Sequence, residues 1–315
     1  MALLIIGKDI IKDYYHEICK QAPHRDIRLW PNIGDPNDIL HALAWHPEHG
    51  ELARLPNLKT IVSLGAGVDH LLEDLKLPNV PVIRYVDPDL TSRMVEYIIL
   101  NTLLHTRRMM EYQNQQRVSK WQYLPVPTAK DIRVGIMGMG VLGSAAASAL
   151  YGMGFKIRGW SRRIQQIENI LSFAGTENLD TFLAETDILV VLLPDTKKTK
   201  GLINRMLIRK LSLSGRHPSL PGPVLINGGR GAVQIETDIL AALETGELYS
   251  ASLDVFENEP LSLDSPLWKH PRVSITPHTA GVSTPEVIAA YFLNHVKSSE
   301  SGKCPKNVVD RSVGY

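Results

Sequence analysis

The chain has 315 residues, 44% of them hydrophobic, and a formal charge of +1. That length suits two ordinary domains with full cores. The balanced charge, with no block of one sign, argues against nucleic acid or an anionic membrane as the main partner. Two cysteines, Cys19 and Cys304, lack metal or redox spacing and read as reduced thiols of a cytoplasmic protein.

Residues 1–7 form an apolar start without a basic stretch before it, so a buried strand is expected rather than a signal peptide. Strands are expected at 2–6, 27–30, 42–45, 60–64 and 82–85. A second series is expected at 132–137, 156–160, 188–192, 224–227, 250–253 and 274–276. These runs are continuously apolar and are separated by helical patterns, which predicts parallel sheets covered on both faces. The longest apolar run, 188–193, is far too short to span a bilayer. A long helical stretch over 91–117 divides the two series. Thr284 and Pro285 open a last helix, the proline at its first position. The reading is α/β, with two doubly wound parallel-sheet domains. One comprises 1–98 plus 286–315; the other, 99–285, binds a dinucleotide. The proline-rich segment 212–223 reads as a loop.

Gly138-Met139-Gly140-Val141-Leu142-Gly143 follows an expected strand and opens a helix of small residues. Gly138 permits the tight turn, Gly140 lets backbone approach a pyrophosphate, and Gly143 lets helix pack on strand. The helix N-terminus supplies N–H groups for the anion. The bland alternative is a glycine-rich turn. About 18 residues further on, where NAD enzymes carry a ribose-binding acid, the chain reads Trp160-Ser161-Arg162-Arg163. A hydroxyl and two guanidiniums suit a 2′-phosphate, so NADPH is favoured over NADH; a solvated basic turn is the alternative. Leu193 and Pro194 end the strand at 188–192, with Thr199 beyond, and this loop is a candidate support for the nicotinamide ribose.

Asn227-Gly228-Gly229-Arg230-Gly231 places an arginine after a strand. Its planar fork suits a carboxylate, and Gly228 and Gly229 allow unusual backbone angles and close approach to a ligand. Glu259 lies two residues beyond Glu257, and acidity alone does not choose between them. His278, after a proline in a strand-end loop, is a candidate proton donor. In the first domain Gly65-Ala66-Gly67 is a second glycine turn whose N–H groups suit a carboxylate, and Trp45 is a candidate wall for the substrate or simple core. No cluster of metal ligands stands out.

With its order of motifs, the chain resembles the D-isomer-specific 2-hydroxyacid dehydrogenase family over nearly its whole length. Trp45-His46-Pro47, Trp160-Ser161-Arg162 and Ser265-Pro266-Leu267-Trp268 bring it nearest the members that reduce glyoxylate and hydroxypyruvate. The resemblance implies a flavodoxin-like substrate domain, a Rossmann cofactor domain and an active-site cleft between them. It implies that Arg230 binds the substrate carboxylate and carbonyl oxygen, that His278 donates a proton with Glu259 as its partner, and that Asp254 approaches the nicotinamide carboxamide. It implies that the Gly65-Ala66-Gly67 backbone contacts the substrate carboxylate. A homodimer through the cofactor domain is implied as well. Gly229 departs from the usual Ala or Ser and is expected to loosen Arg230. The expected activity is NADPH-preferring reduction of small 2-oxo acids. The rivals are a same-family enzyme for a bulkier oxo acid and a dinucleotide-sensing regulator that keeps the fold.

Overall fold

The computed structural model describes residues 1–8 and 11–315. It divides into two compact units, Met1–Leu90 with Ser283–Tyr315, and Thr91–Val282.

The first unit holds strands β1 (Ala2–Gly7), β2 (Asp26–Leu29), β3 (Ile39–Trp45), β4 (Thr60–Ser63) and β5 (Val82–Ile83). They form one parallel sheet in the order β2-β1-β3-β4-β5, the flavodoxin-like arrangement. Ala2, Leu4 and Ile6 enter one core cluster, while Leu3 and Ile5 are equally buried on the opposite face. Both faces are therefore covered, which is why the strand reads as unbroken apolar sequence. Helix α1 (Ile11–Gln21) and a short α2 (Asp69–Leu72) belong to this unit.

The second unit begins inside α3 (Pro88–Thr106) and continues through α4 (Met109–Arg117), β6 (Arg133–Met137), α5 (Val141–Gly152), β7 (Lys156–Ser161) and β8 (Leu171–Ala174). Helix α6 (Leu179–Ala184), β9 (Ile188–Val191), α7 (Arg205–Ile208), β10 (Val224–Asn227), α8 (Glu236–Thr245), β11 (Ser250–Leu253) and β12 (Val273–Ile275) follow. Its seven strands are parallel in the order β12-β11-β10-β9-β6-β7-β8. Leu189 and Val191 face one core cluster and Ile188 and Val190 the other, so this sheet too is buried on both sides. The last helix, α9 (Pro285–Glu300), returns the chain to the first unit. Gln21 donates to the Glu286 carbonyl (3.0 Å) and Arg25 pairs with Glu300 (2.5 Å), tying α9 to α1. Val309 N–H then donates to the Val82 carbonyl (2.8 Å) beside β5.

Three details differ from the sequence reading. The 91–117 stretch is two helices, because Arg108 takes a left-handed backbone (φ 57°) and its side chain pairs with Glu111 at 2.8 Å as the chain restarts. The division between units falls at 90/91 and 282/283 rather than 98/99 and 285/286, since Met94 and Ile98 of α3 pack in the second unit's core. Strand β8 was not anticipated. It is a short edge strand, exposed at Leu171 and only half-buried beyond, without the apolar run that marks an interior strand. The 212–223 loop is anchored where Ser212 donates to Asp187 (2.6 Å), itself paired with Arg133 at 2.5 Å.

Candidate active site

The three glycines after β6 are required for three different reasons. Gly138 has φ +105°, and a Cβ there would stand 2.6 Å from the Leu192 carbonyl oxygen. A Cβ on Gly143 would overlap the Gly138 carbonyl. Around Gly140 nothing lies within 4 Å of the Cβ position. Packing therefore does not demand this glycine, whereas close approach of a phosphate to the backbone would. Gly140 is the N-cap of α5, and Val141, Leu142 and Gly143 form its first turn, so their N–H groups face outward from the helix end. The residues present fit a dinucleotide pyrophosphate.

Ser161 ends β7, and its hydroxyl donates to the Arg163 carbonyl (2.5 Å). The side chains of Arg162 and Arg163 are exposed on the turn. After β9, Leu193 is buried and Thr199 closes the next loop. The Thr199 hydroxyl donates to the Pro194 carbonyl (2.6 Å) and accepts from Thr196 N–H (2.9 Å).

The turn beyond β10 is firm. Asn227 Oδ1 accepts from Gly229 N–H (3.0 Å), and Arg230 Nη1 donates to the Gly229 carbonyl (3.0 Å). Neither Gly228 nor Gly229 has positive φ. The expectation of unusual backbone angles is therefore corrected. Gly229 is needed because a Cβ would lie 2.8 Å from the Leu193 carbonyl oxygen.

Glu259 and His278 meet: Glu259 Oε2 lies 2.7 Å from His278 Nδ1. Glu259 Oε1 accepts from Phe256 N–H (3.0 Å). Burial tends to raise the Glu259 carboxyl. The hydrogen bond and charge of His278, the Phe256 N–H and the charge of Arg230 outweigh it, and the net shift is downward. Glu257 turns away, accepting from Glu236 N–H (2.5 Å). His278 itself takes φ 54°, rare for a non-glycine residue. Asp254, 1% exposed, holds it there. The Asp254 carbonyl accepts from His278 N–H (2.8 Å), and its carboxylate accepts from Thr276 Oγ1 (2.6 Å), Thr279 N–H (2.9 Å) and Ala280 N–H (2.9 Å). The carboxylate that the resemblance assigns to the nicotinamide carboxamide is thus also the anchor of the His278 loop.

In the first unit, the turn after β4 is packed beneath Trp45. A Cβ on Gly65 would stand 2.6 Å from the indole ring. Ser63 Oγ accepts from Gly65 N–H at 3.3 Å and donates to the Gly67 carbonyl at 3.0 Å. Among the described residues the N–H groups of Ala66 and Gly67 carry no hydrogen bond. The Trp45 ring meets His46 (4.8 Å) and His70 (4.7 Å) edge-on, and the two imidazoles lie 4.5 Å apart. His46 belongs to the Trp45-His46-Pro47 motif, but its φ of 46° and its approach to His70 are visible only in three dimensions.

The sequence profile of the D-isomer specific 2-hydroxyacid dehydrogenase NAD binding domain matches residues 99–280. Glyoxylate/hydroxypyruvate reductase A of Serratia proteamaculans (strain 568) is 39% identical over 304 residues, covering 95% of this chain and 94% of that protein. The chain belongs to the D-isomer specific 2-hydroxyacid dehydrogenase family. Among solved structures, the NADPH-dependent glyoxylate/hydroxypyruvate reductase of Sinorhizobium meliloti, in complex with NADP and sulfate, is 40% identical with a TM-score of 0.94. A family member from Xanthobacter autotrophicus Py2, in complex with NADPH and MES, is 39% identical with a TM-score of 0.92. Each match covers 100% of this chain and 99% of the other. Among the described residues no helix is long and apolar enough to cross a membrane.

Proposed function

We propose that this family member is an NADPH-preferring reductase of small 2-oxo acids, with glyoxylate and hydroxypyruvate as the first substrates. The observation that carries the reading is the Glu259–His278 contact at 2.7 Å, within the charge field of Arg230. With Nδ1 directed at Glu259, His278 presents Nε2 for proton donation to the carbonyl oxygen being reduced. Glu259 fixes the orientation of the His278 ring. Arg230 binds the substrate carboxylate and polarises the carbonyl. In the first unit, Ala66 and Gly67 N–H groups offer a carboxylate two donors beside Trp45. The Gly138–Gly143 loop holds the cofactor pyrophosphate, and Arg162 and Arg163 its 2′-phosphate. Leu193, Pro194, Thr199, Gly228, Gly229 and Asp254 border the cofactor at the strand ends. NADPH, when bound, supplies the hydride. Named relatives that bind NADP or reduce glyoxylate and hydroxypyruvate support this reading.

A homodimer through the second unit is part of the proposal. Val118, Trp121 and Tyr123, which follow α4, are exposed, as are Leu100 and Met109; an apolar surface of this kind favours burial against a second copy. Free Cys19 and Cys304 suit a cytoplasmic setting. The deciding experiment is NADPH oxidation with a panel of 2-oxo acids. Turnover with glyoxylate and hydroxypyruvate is expected. Turnover only with bulky oxo acids would reassign the substrate, and cofactor binding without any turnover would point to a sensor.

A further inference from the structure

The Arg230 segment leaves β10 and the Glu259 segment leaves β11, yet the two are fastened together beside their charged residues. Gly231 packs against the backbone of Phe256 so closely that a Cβ would overlap the Phe256 carbonyl. Beneath that contact two buried amides form a relay. Asn227, 0% exposed, donates through Nδ2 to Gln234 Oε1 (2.8 Å) and to the Arg230 carbonyl (3.2 Å). Gln234, 1% exposed, donates through Nε2 to the Val255 carbonyl (2.9 Å). One side chain thereby joins the turn that carries Arg230 to the chain entering the Glu259 loop.

A second fastening lies at the start of α8. Glu236 N–H donates to Glu257 Oε1 (2.5 Å), and Glu257 N–H donates to Glu236 Oε1 (2.6 Å). The N-cap residue, Ile235, has no side-chain acceptor to offer. Glu257 therefore caps α8 from another segment, and Glu236 returns the bond, a reciprocal box built across two loops. Burial, then the charges of Glu257 and Glu259, raise the Glu236 carboxyl. Crowding a third carboxylate beside Glu259 is unfavourable, so the gain lies in the geometry it enforces on the Glu257–Glu259 backbone.

We propose that Gln234 and Glu236 are positioning residues for the reaction, setting the register between Arg230 and the Glu259–His278 pair. The proposal rests on the function proposed above. Neither side chain is assigned a contact with substrate or cofactor. Both act through the loop whose Phe256 N–H orients Glu259. Displacing a catalytic group by about 1 Å costs up to about 10²-fold in rate.

The test uses the full-length protein carrying Gln234→Met, Glu236→Ala or Glu236→Gln. Gln234→Met keeps the volume and removes the relay. Glu236→Ala opens the reciprocal box, and Glu236→Gln keeps an acceptor for Glu257 N–H without the charge. The first two are expected to lower kcat by about 10- to 100-fold with KM for NADPH unchanged. Glu236→Gln should restore most of kcat. The imidazole NMR signals of His278 without substrate give a second readout, in which Glu236→Ala should shift the ring resonances as the 2.7 Å contact with Glu259 loosens. That measurement stands even if the unmutated protein turns over no oxo acid, an outcome that would refute the functional reading alone. Folded variants with unmoved His278 signals, or a lowered melting temperature with unchanged kcat, would overturn the positioning role.

Discussion

The cofactor preference can be worked from the turn after β7. Ser161, Arg162 and Arg163 occupy the place where an acidic residue would hold a free ribose hydroxyl and repel a phosphate. The Ser161 hydroxyl already donates to the Arg163 carbonyl at 2.5 Å, which leaves the two guanidiniums as the main phosphate donors. A charge-assisted hydrogen bond contributes about 1.5–3 kcal/mol. Both arginines are exposed, and solvent screening holds the gain at the low end, about 1.5 kcal/mol. The expected preference for NADPH over NADH is therefore about tenfold in kcat/KM. Arg162 stands nearer the strand, so Arg162→Ala should raise KM for NADPH by about tenfold and leave KM for NADH nearly unchanged. Raising the salt concentration should narrow the preference, as it does for exposed ion pairs. The assay is initial-rate NAD(P)H oxidation with saturating glyoxylate. Equal efficiency with both cofactors in the unmutated enzyme would refute the reasoning, and so would an Arg162→Ala loss shared by NADH.

Three further outcomes are expected. His278→Asn should lower kcat by about 10²–10⁴-fold with cofactor affinity retained; a single-turnover rate near that of the unmutated enzyme would remove His278 as the donor. Arg230→Lys keeps the charge but loses the two-pronged geometry, so kcat/KM for glyoxylate should fall sharply and free guanidinium should recover part of it. Burial pushes His105, bonded to Ser252 and Ser250 at 2.8 and 2.9 Å, down to about 4, so it stays neutral in the fold while the unfolded chain binds a proton below about pH 6.5. Stability tied to His105 is thus complete above that value and falls by about 2 kcal/mol between pH 7 and pH 5; urea unfolding of His105→Gln should show less acid sensitivity, and identical sensitivity would contradict this.

Much of the fold was legible because parallel strands buried on both faces leave an unambiguous apolar signal. Leu189, Val190 and Val191 are wholly buried, and their run could be read without knowing its neighbours. Leu171–Ala174 lacked that signal because an edge strand with an exposed leading residue looks like loop. The break at Arg108 was hidden for another reason: nothing in Arg107-Arg108 forbids a helix, and only the left-handed backbone at Arg108 ends it. In the site, His278 and Arg230 stood out by charge beside prolines and glycines. Glu257 and Glu259 did not separate, because both are acids in one polar loop; the distance to His278 Nδ1 and the bond to Glu236 N–H tell them apart. Gln234 was invisible as a functional candidate, since an amide between Val233 and Ile235 carries no charge or spacing signal. Its meaning lies in the Val255 carbonyl, 21 residues along the chain.

The placement of His278 follows from sheet register. Strands β11 and β12 are paired so that Leu253 stands opposite Ile275, which brings the next residues, Asp254 and Thr276, into contact at 2.6 Å. One buried carboxylate then organises the whole return loop through Thr279 and Ala280 N–H groups, while the Asp254 carbonyl takes His278 N–H. His278 is held at an unfavourable φ by its N–H, which donates both to the Asp254 carbonyl (2.8 Å) at a strand end and to the Thr276 carbonyl (3.1 Å) of its own loop, which is how a strained conformation persists. The glycine loop leaves β6 of the same sheet, beside β9, where the strand order reverses. Strand ends at such a reversal open onto a crevice. The glycine loop and His278 are therefore spaced by one hydrogen-bonded sheet, and the loops between need only orient what the strands already place.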